Sequence, residues 1–197
     1  MQIFDISQAV FSAEVYPGDP KPKRERLCAM EQGDLYNLTA FSMCAHNGTH
    51  VDAPAHFIRE GKTVEQLLLS KLVGSATVMA ASGTLSAADV CAILKKAKET
   101  DAEAAKRILL KGDATVTAEA AEALVAAGVE LIGTELQSVG PVEAPMAVHL
   151  ILLAAEVVLL EGLRLSHVQE GVYLLSAAPL LLEGADGAPC RAVLIKQ

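Results

Sequence analysis

Residues 46–57, HNGTHVDAPAHF, hold three of the chain's five histidines together with an aspartate. His46, His50, Asp52 and His56 share one parity. On a helix His46 and His50 would sit close while Asp52 and His56 pointed elsewhere, whereas on a strand all four would project to one face. Asn47-Gly48 and Pro54 also argue against a helix. Strand geometry is therefore the expectation for the group, with Pro54 ending the ladder so that His56 leaves on the following turn.

Two imidazoles and a carboxylate converging on one point form a ligand set that zinc accepts, as do manganese, iron and cobalt, and no thiolate singles out zinc. Burying several titratable groups together carries a large desolvation cost, which a bound cation offsets. A catalytic metal keeps an open position for water, which can ionise near pH ~7. The chemistry most easily built here is hydrolysis of a carbonyl compound, with a histidine left off the metal as general acid and base.

The elements that must hold these groups follow from the rest of the chain. IFDIS is a short strand candidate. VYPGDP is a turn in which Pro17 and Pro20 fix φ and Gly18 supplies the permissive backbone. YNLTAFSMCAHNGTHVD is β-rich by composition, TVEQLLLSKL a short helix capped by Thr63, and GSATVMAA a buried strand. SAADVCAILKKAKETDAEAAK is helical by propensity throughout, followed by the strand RILLK. TAEAAEALVAAG is a helix between Thr117 as N-cap and Gly128 as stop, and VELIGTE a strand. A helix opening just after Pro145 and the strand EVVLLEGL come next, then the closing strands GVYLLSAAPLLL and CRAVLIK. Alternating strands and helices after a β-rich first part indicate one mixed α/β domain spanning 1–197, with no linker on which to divide it.

Composition narrows the partners. A formal net charge of −8 opposes nucleic acid and anionic membrane surfaces, so a small molecule is the expected ligand. The N-terminus lacks a basic region followed by a long apolar run. The apolar stretch MAVHLILLAAEVVLLEGL is interrupted by His149, Glu156 and Glu161, and reads as buried core rather than a membrane span. Cys28, Cys44, Cys91 and Cys190 show no paired spacing and are expected to be small core residues, reduced in a cytoplasm. Aromatic residues make up only 4% of the chain, with no Trp.

HNGTHVDAPAHF resembles the H-x-G-T-H-x-D-x-P-x-H-F signature of the metal-dependent cyclase family, which includes bacterial kynurenine formamidases and isatin hydrolase. DISQAVFSAEVYPGDP is similar to the family's opening, GKTVEQLLLSKLVGSATV to the segment after the signature, and GVYLLSAAPLLLEGADGAPCRAVLI to its closing strands. The resemblance implies a swivelling β/β/α fold with a mixed sheet, in homodimers or homotetramers. It implies one or two divalent ions, zinc first and manganese as the alternative: His46, His50 and Asp52 hold the first with Glu161 joining, and Asp52 and Glu161 bridge to a second that also takes His149. It makes His56 the catalytic histidine and places Tyr16 where formamidases carry a substrate-contacting Trp. Glu161 ends an apolar strand, where a carboxylate without a partner would be costly, and a metal is a natural partner.

The implied activity is hydrolysis of an amide or formamide, with N-formylkynurenine giving kynurenine and formate. A related hydrolase of a cyclic amide, lactone or other small carbonyl compound is the alternative, and a non-catalytic metal or small-molecule binder on the same fold a further one. Departures from the family pattern concern the substrate pocket: LLKGDATV stands where many members have a strand ending in RTGW, and GTELQSVG puts Glu135 in an Asp position. His167 matches no family position, and a surface role is expected for it.

Overall fold

The computed structural model describes residues 1–142 and 144–196. In chain order the regular elements are β1 (Gln2–Asp5), β2 (Lys23–Cys28), β3 (Leu38–Ser42), β4 (His50–Asp52), α1 (Leu69–Leu72), β5 (Val73–Ala80), β6 (Thr84–Leu85), α2 (Ala87–Thr100), β7 (Arg107–Lys111), β8 (Thr115–Val116), α3 (Ala118–Ala126), β9 (Leu131–Thr134), α4 (Pro145–Ala154), β10 (Val158–Glu161), β11 (Gly171–Ser176), β12 (Gly187–Pro189) and β13 (Val193–Lys196). A nine-stranded sheet runs β1-β13-β11-β5-β7-β9-β10-β4-β12. Its centre, β5-β7-β9-β10, is parallel, and antiparallel pairs flank it on both sides. The mixed α/β class expected from the sequence is the one observed.

Parity explains the two faces. Leu109, Leu131, Val158 and Leu160 point into one cluster with Val51, Val78, Leu175 and Leu194, so inward residues from β4 and from β13 meet and the sheet is curled. Ile108, Leu110, Ile132 and Leu159 point to the other face, against Val90 and Leu94 of α2, Leu124 of α3 and Leu152 of α4. With both faces covered, the parallel strands read as unbroken apolar runs, as RILLK and VVLLE do. Truncating a fully buried side chain such as Leu152 to Ala would cost about 2–5 kcal/mol.

Local chemistry sets the ends. Ser86 and Asp89 form a reciprocal cap on α2, Thr117 Oγ1 accepts from Ala120 N–H at the start of α3, and Pro145 opens α4. Gly128 ends the α3 region at φ 77°. In the turn after Tyr16, the Asp19 N–H donates to Tyr16 O at 3.0 Å, with Gly18 at φ 99°.

Several expectations fail for identifiable reasons. The region after Thr63 is a 3-10 turn, Val64–Gln66, followed by the four-residue α1, not one helix. The helical pattern from Ser86 stops at Thr100, because Asp101 Oδ1 accepts from the Glu103 and Ala104 N–H groups and starts a separate turn. β2, KRERLC, pairs with β3 as a hairpin outside the main sheet, and its lack of an apolar face hid it from periodicity. The cysteines are free, but the expectation of core residues holds only for Cys190, which is partly buried against the inner cluster; Cys91 is exposed and Cys28 and Cys44 are partly exposed. The apolar stretch 146–163 is α4 and β10, whose inward face is buried, and no described helix is long and apolar enough to cross a membrane.

Candidate metal centre and catalytic cleft

β4 and β10 are antiparallel neighbours with His50 opposite Glu161 and Asp52 opposite Leu159. Val51 and Leu160 face the inner cluster, so alternation turns His50, Asp52 and Glu161 to the helix side. There α4 meets them: His149 shares its buried stripe with Val148, Leu152 and Leu153. All four polar residues are buried, His50 at 2%, Asp52 at 1%, His149 at 4% and Glu161 at 3% exposure, so their charges must be satisfied locally.

Only His50 and Asp52 of the four same-parity residues lie on the strand, which corrects the expectation for His46, while His56 leaves on the turn after Pro54 as expected. His46 comes from the preceding turn, where Asn47 Oδ1 accepts from Cys44 N–H at 2.9 Å and Gly48 adopts φ 69°. His56 ends a 3-10 turn, Pro54–His56, opened by Pro54. Turn, strand and turn bend the segment around the site, and the His46 and His56 rings stack at 3.9 Å.

The ring nitrogens are assigned by their partners. His50 Nδ1 donates to Gly48 O at 3.0 Å, and His149 Nδ1 to Pro145 O at 2.8 Å. A carbonyl only accepts, so both rings turn Nε2 inward as the ligating atom. His50 Nε2 lies 3.3 Å from Asp52 Oδ1 and 3.5 Å from Glu161 Oε2. His149 Nε2 lies 3.4 Å from Glu161 Oε1 and 3.7 Å from Asp52 Oδ2. Each carboxylate thus divides its oxygens between two imidazole groups, with His46 Nδ1 joining the first at 2.8 Å from Asp52 Oδ1. Three sets of three ligating atoms result, each within 4.8 Å: the mostly or fully buried His46/His50/Asp52 and Asp52/His149/Glu161, and the half-buried His46/His56/Asp186.

The donor set fits divalent cations, and one atom asks for a cation directly: Asp52 Oδ2 is buried without a hydrogen-bond partner. Electrostatics agree. Burial alone would lower His50, but the contacts with Asp52 and Glu161 outweigh it and hold the imidazole up to about 10. Burial alone would raise Asp52, but His46 and His50 hold it well below the usual carboxylate range. Burial likewise opposes, and Asp52 and Glu161 respectively overcome it, at His46 and His149, both raised. Such a site binds protons in competition with metal. His56 differs, since burial dominates and lowers it, leaving a neutral base in the cleft.

The cleft beside these ligands has a volume of about 400 Å³. Tyr16 and Phe57 supply its aromatic surface, and Gln137, Asp19 and Asp186 were not singled out by sequence reasoning. Gln137 Nε2 is buried without a partner, and nothing in its local sequence marks it. Asp186, in the loop before β12, accepts from ring nitrogens of both His46 and His56 at 2.9 and 3.1 Å. Glu135 has a structural part: its two oxygens accept from Gly112 and Leu165 N–H groups. His167 is exposed, as expected.

Comparison with known proteins follows this geometry. Residues 4–141 match the putative cyclase family. A kynurenine formamidase of Bacillus cytotoxicus is 35% identical over 204 residues, covering 96% of this chain and 95% of its own. One of Erythrobacter litoralis is 33% identical, covering 98% and 93%. Among solved structures, a potential metal-dependent hydrolase with cyclase activity superposes with a TM-score of 0.81 at 27% identity, covering 98% and 96%. An isatin hydrolase bound to thioisatinate shares the fold with a TM-score of 0.84 at 18% identity, covering 100% and 93%.

Proposed function

The chain belongs to the putative cyclase family and is a metal-dependent amidohydrolase of carbon–nitrogen bonds other than peptide bonds, and we propose that the bond it cleaves is the formamide of N-formylkynurenine. The observation that carries this reading is the division of the Asp52 and Glu161 oxygens between two imidazole groups, with His56 beside them in one cleft. In our assignment His46, His50, Asp52 and Glu161 would hold one cation, and Asp52, Glu161 and His149 would hold a second. Zinc is the ion we assign, with manganese as the alternative. A divalent cation supplies Lewis acidity, lowering the pKa of water and polarising a carbonyl oxygen.

The protein's own groups then have defined tasks. His56, neutral because burial lowers its pKa, accepts a proton from the water that attacks the formyl carbon. The carbon–nitrogen bond breaks, and His56 returns the proton to the departing aryl nitrogen, giving kynurenine and formic acid, which releases its proton to solvent as formate. Tyr16, which lines the cleft, packs against the aryl ring.

A cyclic amide, lactone or other small carbonyl compound is the second reading, favoured by the sparse aromatic surface of the cleft, which among the described residues is Tyr16 and Phe57, with no Trp in the chain. A comparison of kcat/KM for N-formylkynurenine, isatin and a simple lactone separates them: a higher value for N-formylkynurenine supports the formamidase, and a higher value for isatin replaces it.

We place the protein in the cytoplasm, supported by its free thiols, as a homodimer or homotetramer. Support for assembly comes from the β2–β3 hairpin, which exposes Leu27, Leu35, Tyr36, Leu38 and Phe41 although a two-stranded hairpin alone is marginally stable. Light scattering that gives a monomer mass at micromolar concentration would remove this assignment.

A further inference from the structure

We infer that Asp186 is a positioning residue that fixes the orientation of the His46 ring and sets which ring nitrogen of His56 carries the proton. A single oxygen, Oδ2, lies 2.9 Å from His46 Nε2 and 3.1 Å from His56 Nδ1. An ionised carboxylate only accepts, so both nitrogens present N–H. His46 has a carboxylate at each ring nitrogen, since its Nδ1 lies 2.8 Å from Asp52 Oδ1, so there Asp186 fixes the orientation of the ring rather than its tautomer. For His56 the free atom becomes Nε2. Since the two rings are stacked, one oxygen at their edge serves both.

The carboxylate is itself held. Asp186 O accepts from Ala53 N–H at 2.9 Å, and Ala185 O from Val64 N–H at 2.9 Å. The next residue, Gly187, pairs with Asp52 across β12 and β4. A Cβ there would sit 2.7 Å from His46 Cε1, so Asp186-Gly187 supplies both the acceptor and the clearance for the ring. The Asp186 side chain is about half exposed (48%), where a hydrogen-bonded charge pair adds little to folding stability. Its effect is therefore expected in the orientation of the histidines, as outer carboxylates act on metal-ligating and catalytic imidazoles.

The catalytic half of this inference rests on the hydrolytic role proposed for His56; the half concerning His46 does not. Both are read without substrate in Asp186→Ala, with the isosteric Asp186→Asn as a second variant if the first folds poorly. Long-range 1H–15N spectra should show His56 as the Nδ1–H tautomer in the parent and shifted toward Nε2–H, the form a free imidazole prefers, in Asp186→Ala. Competition with a chromophoric chelator should show zinc bound roughly 10–100-fold more weakly. On N-formylkynurenine, kcat should fall about 10–1000-fold with KM nearly constant and the thermal midpoint unchanged. Parental tautomers together with parental zinc affinity in Asp186→Ala would overturn the inference. Failure of the parent to cleave N-formylkynurenine would instead remove the proposed substrate, while the spectra and the zinc titration still judge Asp186.

Discussion

His50 and Glu161 face each other across the antiparallel pair β4–β10, and His50 Nε2 comes within 3.5 Å of Glu161 Oε2 in a fully buried setting. A motif residue and a distant carboxylate are thus brought together by strand register. His50→Ala should therefore bind less than a tenth of the metal that the parent retains on dialysis, measured by elemental analysis, and lose activity with it. Stoichiometric metal in that variant would exclude His50 as a ligand.

His56 is placed to move protons rather than to complete either buried cluster. His56→Ala should keep the parental metal content while kcat falls about 10²–10⁴-fold, the usual range for a general acid and base. Undiminished turnover would take His56 out of this role.

The shift at His50 gives a pH dependence with a definite sign. Its folded value, about 10, lies above its ordinary value of 6.5, so the contacts with Asp52 and Glu161 contribute fully below pH 6.5. That contribution is lost as pH rises through about 10. Asp52, shifted downward, acts only in acid and does not offset this in the window from 6.5 to 10. Protein stripped by a chelator should lose stability on the order of a few kcal/mol across the window, while His50→Gln loses less. Parallel urea midpoints for the two proteins from pH 6.5 to 10 would contradict the assignment.

Gly187→Ala places a methyl group 2.7 Å from both His46 Cε1 and Val51 O. The ring can turn away from the first contact, but Val51 O is backbone of β4, so the β12–β4 pairing must shift as well. We expect a loss of about 1–3 kcal/mol in stability and weaker zinc binding. An alanine variant with parental zinc affinity would show that His46 needs no such clearance.

The sequence disclosed the parts of this site that obey local rules. The parity of His50 and Asp52 is strand parity, Pro54 ends the ladder, and Pro145 starts the helix that carries His149. It misled at His46, which reaches the cleft through a turn where a strand was expected, whereas His56 leaves the ladder on the turn after Pro54 as expected. Asp186 was hidden because it is a single acidic residue in a loop, given meaning only by the pairing of β12 with β4. β12, Gly187–Pro189, is itself built from residues that strands disfavour except at an edge.

The central claim is tested most directly by the turnover of N-formylkynurenine before and after chelation, with zinc or manganese restored. The account predicts formate and kynurenine released in equal amounts, loss of turnover on chelation, and recovery when the metal returns. Turnover that persists in fully chelated protein, or no cleavage by protein carrying stoichiometric metal, would contradict it.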